Sequence, residues 1–144
     1  DALKIAKAKA THLSKKNKNK IIITFDTTIL HMRKTIYKCR TKQCCKDTLK
    51  SFNNTSHNLY TGMVFMINNT LIRSSLTRSK IVFKKNKIVD MNNYVEKNFK
   101  QVSSAVGCYN IEGKGKSFFK NIENSYFNVI GMDIINFLKI LKSI

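Results

Sequence analysis

The stretch Ile21–Ile36, IIITFDTTILHMRKTI, decides how the rest of this chain is read. Its apolar residues Ile22, Phe25, Ile29, Met32 and Ile36 step by 3, 4, 3 and 4, the spacing that lays one apolar stripe along an α-helix. On that reading the stretch is an amphipathic helix, and its stripe must be buried against others of its kind. His31 then lies one residue off the stripe, where a lone histidine is a boundary residue rather than a ligand or a base.

The flanking sequence supplies such partners. A second helical segment starts near Cys44 or Cys45, shows Leu49 and Phe52 on one face, and stops in the polar cluster Asn53-Asn54-Thr55-Ser56. Residues 59–72 are open to two readings: Leu59, Met63, Met66 and Thr70 fit a helix, which is preferred, while Met63–Ile67 also suits a buried strand. Residues 80–89, with Ile81 and Phe83 at period two, predict a short extended segment or loop. Asp90 is placed as an N-cap, and Met91, Val95, Phe99, Val102 and Val106 form a stripe that Gly107 stops. After the loop Ile111–Lys116, Phe118, Ile122 and Phe127 lead to Gly131, and a last helix presents Ile134, Phe137, Leu138 and Leu141. On the N-terminal side, Leu3, Ala6, Ala10 and Leu13 make a short amphipathic helix or a frayed arm, followed by the solvated run Lys15–Lys20. No proline blocks any of these helices. The expected fold is therefore all-α, a four-helix bundle (residues 21–144) preceded by a basic arm (residues 1–20).

A chain of 144 residues with 42% apolar content is long enough for one real core and too apolar for a disordered tail. It has no run of 18 apolar residues. Its start at Asp1 without methionine is consistent with a processed secretory protein. Lys and Arg total 27 against 8 acidic residues, a net +19 that attracts polyanions, although a lysine-rich composition alone raises the same charge. The basic residues are spread along the chain, and Phe25, Phe52, Phe99, Phe118 and Phe137 sit at apolar-face positions. A dedicated nucleic-acid surface would instead concentrate charge and interleave aromatics for stacking.

The four cysteines, Cys39, Cys44, Cys45 and Cys108, suit two disulfides in an oxidising compartment, Cys39 to one of the adjacent pair and Cys108 to the other. Their spacing, C-x4-C-C with one distant cysteine and the scattered His12, His31 and His57, does not match a zinc motif. Sequons stand at Asn53, Asn54 and Asn68. The acids Asp1, Asp26, Asp47, Asp90, Glu96, Glu112, Glu123 and Asp133 are isolated, and capping accounts for Asp90 and Asp133. Gly115-Lys116-Ser117 lacks the earlier glycine of a phosphate loop, that position being Asn110. Neither catalysis nor any metal or cofactor is expected.

The closing segment Asn136–Ile144, NFLKILKSI, resembles the last-helix pattern of the interleukin-4 family, and Cys45–Phe52 is similar to that family's second helix. The order of the cysteines around the first two helices fits as well. The resemblance implies a short-chain cytokine of the interleukin-4/interleukin-13 or interleukin-2 group, up-up-down-down, secreted and bridging receptor ectodomains without an active site. Arg33, Lys34, Lys97 and Lys100 would then meet acidic receptor loops. Lys15, Lys16, Lys18, Lys20, Lys80, Lys84, Lys85 and Lys87 would hold sulfated glycans. The alternative is a basic nucleic-acid-binding or ribonucleoprotein component, with affinity that falls steeply with salt.

Overall fold

The structure, a computed structural model, describes residues 2–124 and 126–144, apart from the side chains of Tyr126 and Phe127. The expectations placed on Asp1 and on the Phe127 stripe position lie outside the described residues. In chain order the elements are α1 (Ala2–Lys16), β1 (Ile21–His31), β2 (Lys34–Ile36), α2 (Lys42–Phe52), β3 (Ser56–Ile67), β4 (Thr70–Phe83), α3 (Ile88–Val102), a 3-10 turn (Lys114–Phe118), β5 (Phe119–Glu123), α4 (Tyr126–Ile130) and α5 (Ile134–Ser143). The strands form one five-stranded antiparallel sheet in the order β2-β1-β3-β4-β5. The expected all-α bundle is therefore replaced by a mixed α/β fold.

The difference lies in residues 21–36, which form strands rather than a helix. Ile21, Ile22, Ile23, Thr24, Thr27, Thr28 and Ile29 are β-branched, stiff at χ1, and suited to a pleated surface. They form β1, where Ile29 and His31 are buried and Leu30 between them is exposed. Met32, expected on a helix stripe, is 71% exposed. It and Arg33 make the two-residue turn into β2 with φ of 46° and 64°, and His31 pairs with Lys34. Both positive values mark the primed turn whose twist matches a hairpin. A second such turn joins β3 to β4 through Asn68 and Asn69, at φ 46° and 66°. Residues 59–72 thus take the strand alternative. Leu59 and the run Met63–Met66 are buried, as a run apolar on both faces requires.

The remaining segments follow the sequence more closely. Thr41 caps α2, its Oγ1 accepting from Cys44 N at 3.2 Å. Helix α3 starts at Ile88 with Lys87 at the N-cap position, so Asp90 sits in the first turn instead of capping it. Asp133 does cap α5, accepting from Asn136 N at 3.2 Å. Helix α5 buries none of its residues fully, and Ile135, Leu138 and Leu141 are exposed, so its stripe is not the bundle seam that was expected.

The chain divides into two compact units. Residues 1–27, 60–78 and 125–144 form the first, residues 28–59 and 79–124 the second. In the first, α1 turns Ala2, Ala6, Ala10 and Ser14 inward, one small residue per turn. Ala6 and Ala10 pack with Val64 and Met66, flanked by Leu3 and Ile22. The approach is closest at Gly62, where a Cβ would stand 2.5 Å from the Leu3 backbone nitrogen. In the second unit, Leu49 and Phe52 of α2 and Met91, Tyr94, Val95 and Val102 of α3 are buried, with Phe83, Tyr109 and Phe118. Gly107 holds φ of +84°, and a Cβ there would meet Ile29 Cδ1 at 2.7 Å.

Replacing Gly62 tests the α1–β3 contact. Backbone atoms cannot yield as a side chain can, so Gly62→Ala should lower stability by about 1–3 kcal/mol or more in urea unfolding. Lys7→Ala, on the exposed face of α1, should stay within about 0.5 kcal/mol of the parent.

Candidate functional site

Most of the acids are committed to surface or capping duties. Glu96 on α3 takes hydrogen bonds from Lys42 and then Lys46, each 2.6 Å away, and they hold its carboxyl down at about 2. Glu123 pairs with Lys80 at 3.4 Å, and Asp47 accepts from Gln43 at 2.9 Å. Asp133 is buried, which raises its pKa. Hydrogen bonds from Thr77, Asn136 and Ile135 outweigh that and hold the carboxyl below its ordinary value. Asp26 differs.

Asp26 lies on β1 with its side chain only 16% exposed, and its Oδ1 is paired with Nζ of Lys9 from α1. The same ammonium reaches the Phe25 carbonyl at 3.4 Å and is itself half exposed. Among the described residues Oδ2 of the carboxylate has no hydrogen-bond partner, and the ammonium is half exposed. Because Lys9 is half in water, the pair adds little to stability; its effect is to fix a carboxylate and a cation side by side.

The next residue starts a run of hydroxyls. Thr27 Oγ1 lies 3.2 Å from Thr61 Oγ1, and the Thr61 hydroxyl gives its one proton to the Asn128 carbonyl at 2.9 Å. Thr27 must therefore be the donor to Thr61. Asn128 Nδ2 donates to the Thr77 carbonyl at 3.3 Å, and the Thr77 hydroxyl donates to Asp133 Oδ2. Asn136 Nδ2 reaches the same oxygen at 2.6 Å. Gly131, at φ +106°, passes close enough that a Cβ would stand 3.7 Å from Thr27 Oγ1. Phe137 packs on Phe25 and Phe65, with ring centroids 6.3 and 5.8 Å away. Both residues beside Asp26 are thus held in place.

The second unit holds a separate basic feature. A pocket of about 480 Å³ is lined by Lys80, Lys84, Lys85 and Lys120 together with Asn54, Thr55 and Ser56. Three of the eight lysines expected to bind polyanions meet there. Lys87 is the N-cap position of α3; Lys15 and Lys16 close α1, Lys18 and Lys20 lie in the following turn, and all are exposed. The residues expected at a receptor surface sit on different elements, Arg33 in the β1–β2 turn, Lys34 on β2, and Lys97 and Lys100 on α3. Of the sequon residues, Asn54 is exposed, whereas Asn53 and Asn68 hold neighbouring turns. Asn53 Oδ1 accepts from Asn86 N at 2.8 Å, and Asn68 Oδ1 accepts from Asn19 N at 2.8 Å. Gly115 is buried against Asn110 in the 3-10 turn, as packing rather than a phosphate loop. Cys39 is bonded to Cys44, while Cys45 and Cys108 are buried free thiols rather than partners in a second link. The sulfurs of Cys39, Cys45 and Cys108 lie within 4.8 Å of one another, the grouping among the described residues best suited to a metal.

Sequence reasoning overlooked Asp26 and Lys9 because they are 17 residues apart on a strand and a helix. The available signal was an acid followed by two threonines inside an apolar β-branched run, a polar interruption that a structural strand does not need.

A buried histidine pair adds a pH dependence. His57 Nε2 lies 2.9 Å from the Tyr109 hydroxyl, its ring stacks on Phe52 at 4.1 Å, and its Nδ1 has no partner among the described residues. Burial first, and then the charge of His31, push its pKa down to about 3. In the unfolded chain it titrates near 6.5. The unfolded state therefore binds the proton first as pH falls. Stability should be full above about 6.5 and drop towards pH 3 by about 1.4 kcal/mol per pH unit from this group. Urea unfolding between pH 7.5 and 4.5 should show that slope, and His57→Phe should flatten it.

The profile of one family, described as Maf-like protein, matches residues 1–144. The chain is 28% identical over 142 residues to a dTTP/UTP pyrophosphatase of Carboxydothermus hydrogenoformans, covering 98% of this chain and 75% of that protein. It is 24% identical over 140 residues to a dTTP/UTP pyrophosphatase of Bacillus cereus strain B4264 (97% and 72%). To one of Clostridium botulinum strain Okra it is 27% identical over 136 residues (92% and 69%). These relatives are enzymes. They overturn the cytokine resemblance, the receptor-ectodomain partners and the expectation of no catalysis, and they give no support to the nucleic-acid alternative. The helical motifs behind the resemblance were ordinary amphipathic sequence, and the decisive first helix is a strand.

Proposed function

We propose that this chain, which belongs to the Maf-like protein family, hydrolyses a pyrimidine nucleoside triphosphate between its α and β phosphates. The products are the nucleoside monophosphate and pyrophosphate. The names of the relatives supply the substrate class, dTTP or UTP. The observation that carries the reading is the Lys9–Asp26 pair, a part-buried carboxylate with one oxygen on an ammonium and the other without a partner among the described residues.

That arrangement meets what the reaction demands. Water must be deprotonated as it attacks the α-phosphorus, and negative charge on the phosphate oxygens must be offset as pyrophosphate leaves. Oδ2 of Asp26 accepts the proton of the attacking water. Oδ1 stays on Lys9, which fixes the carboxylate's direction. The half-exposed ammonium faces the phosphate and draws off part of its charge. The bond to the bridging oxygen breaks with the electron pair going to pyrophosphate, and the monophosphate gains the water oxygen. Thr27 acts through others: its proton is committed to Thr61, so it is a positioning residue that holds the strand beside Asp26.

The test is pyrophosphate release from dTTP and UTP, supplied as magnesium complexes, with the other triphosphates as comparison. The chain should release pyrophosphate from dTTP or UTP in preference to the purine nucleotides. Asp26→Asn should cost about 10²–10⁴-fold in kcat with an unchanged circular dichroism spectrum. Lys9→Met should raise KM and lower kcat together. Full activity in Asp26→Asn, or no pyrophosphate from any triphosphate, would refute the assignment.

A further inference from the structure

Three sulfurs converge in the second unit from three places in the sequence: Cys39 after β2, Cys45 within α2, and Cys108 in the turn that follows α3. They are 3%, 0% and 0% exposed. The fourth, Cys44, is exposed at the start of α2 and is bonded to Cys39, one member of that group. Cysteines that merely fill a core have no reason to collect in this way.

The spacing suits a metal. Thiolates at about 2.3 Å from a tetrahedral ion stand roughly 3.8 Å apart, and the three sulfurs already lie within 4.8 Å of each other. The segment around the site carries Lys38, Arg40, Lys42 and Lys46, with no acid from Lys38 to Lys46, which suits the net negative charge of a tetrathiolate centre.

We propose that the reduced chain binds one thiophilic metal ion, with Zn2+ as the test ion, through Cys39, Cys45 and Cys108, with Cys44 completing the tetrahedron. The disulfide and the metal site are then alternative states of the same sulfurs. A dithiol reductant gives two electrons and two protons to the Cys39–Cys44 bond and is itself oxidised to a disulfide. Two thiols result, and Zn2+ displaces the four thiol protons as it binds. A disulfide oxidant runs the sequence backwards, releasing the ion as the Cys39–Cys44 bond forms again. The site is structural, since four protein ligands leave no open position.

The chain, reduced with a phosphine and freed of it under anaerobic conditions, is titrated with Co2+ and then with Zn2+. The expected result is one Co2+ per chain, with the thiolate-to-cobalt charge-transfer band and ligand-field bands of a tetrahedral site, both abolished by one equivalent of Zn2+. Cys108→Ser should weaken binding at least 10-fold. Cys44→Ser should keep a weaker three-sulfur site in a chain that no longer forms the disulfide. Alkylation of the wild-type chain reads the same site without a variant: Zn2+ should protect all four thiols. Four thiols that alkylate equally fast with and without Zn2+, or the absence of a charge-transfer band, would overturn the proposal. So would binding in Cys108→Ser equal to wild type. Pyrophosphate release plays no part in these readouts, so the two assignments fail separately.

Discussion

A missing side chain at Gly62 lets helix α1 lie with its backbone against β3, and the first unit is arranged around that approach. Close contact of this kind needs small residues on the helix as well, and α1 turns Ala2, Ala6, Ala10 and Ser14 inward at successive turns. The Thr24 hydroxyl adds a 2.7 Å bond to the Ala6 carbonyl, pinning the same face to β1. Ser14 Oγ accepts from Asn69 N at 2.7 Å and so fixes the helix against the β3–β4 turn. With that face fixed, Lys9 falls on the flank of the helix nearest Asp26. A larger residue at Gly62 or Ala6 would lift α1, and the ammonium with it.

The second constraint is the hydroxyl run from Thr27 through Thr61 to Asn128, continued through Thr77 to Asp133. Buried polar groups are costly when half satisfied, so a chain in which each proton has a defined acceptor orders its surroundings strongly. Here it ties the turn containing Gly131 to the strand that carries Asp26. The Lys9–Asp26 pair is thus carried by a strand and a helix rather than by loops, which fixes the direction of the carboxylate.

In the second unit the aromatic group of Phe52, His57, Phe83 and Tyr109 does comparable work with apolar surface. His57 is kept neutral inside it, and Glu96 ties α3 to Lys42 and Lys46 of α2. The sulfurs gather at that end of the unit, where α2 begins and where Gly107 can adopt the positive φ that leads into Cys108.

Local chemistry was legible in the sequence. It determined the helices at 42–52, 88–102 and 134–143, the extended character of 80–83, and the cap at Asp133, because propensity and capping act over a few neighbouring residues. Composition likewise carried the strong positive charge. The strands at the start and centre of the sheet were misread. A 3–4 spacing of apolar residues also arises by chance in a strand buried on parts of both faces, so β1 passed for a helix although its β-branched density argued otherwise. Met63–Ile67 could be strand or helix by pattern alone, and pairing in the sheet decided it. The Lys9–Asp26 pairing and the three-sulfur grouping of Cys39, Cys45 and Cys108 are tertiary contacts. Lys9 meets Asp26, and Cys108 meets Cys39 and Cys45, only when distant segments pack, and a contact between distant segments leaves no period in the chain. Residue types and local geometry belong to the sequence; which carboxylate meets which ammonium was decided by the sheet.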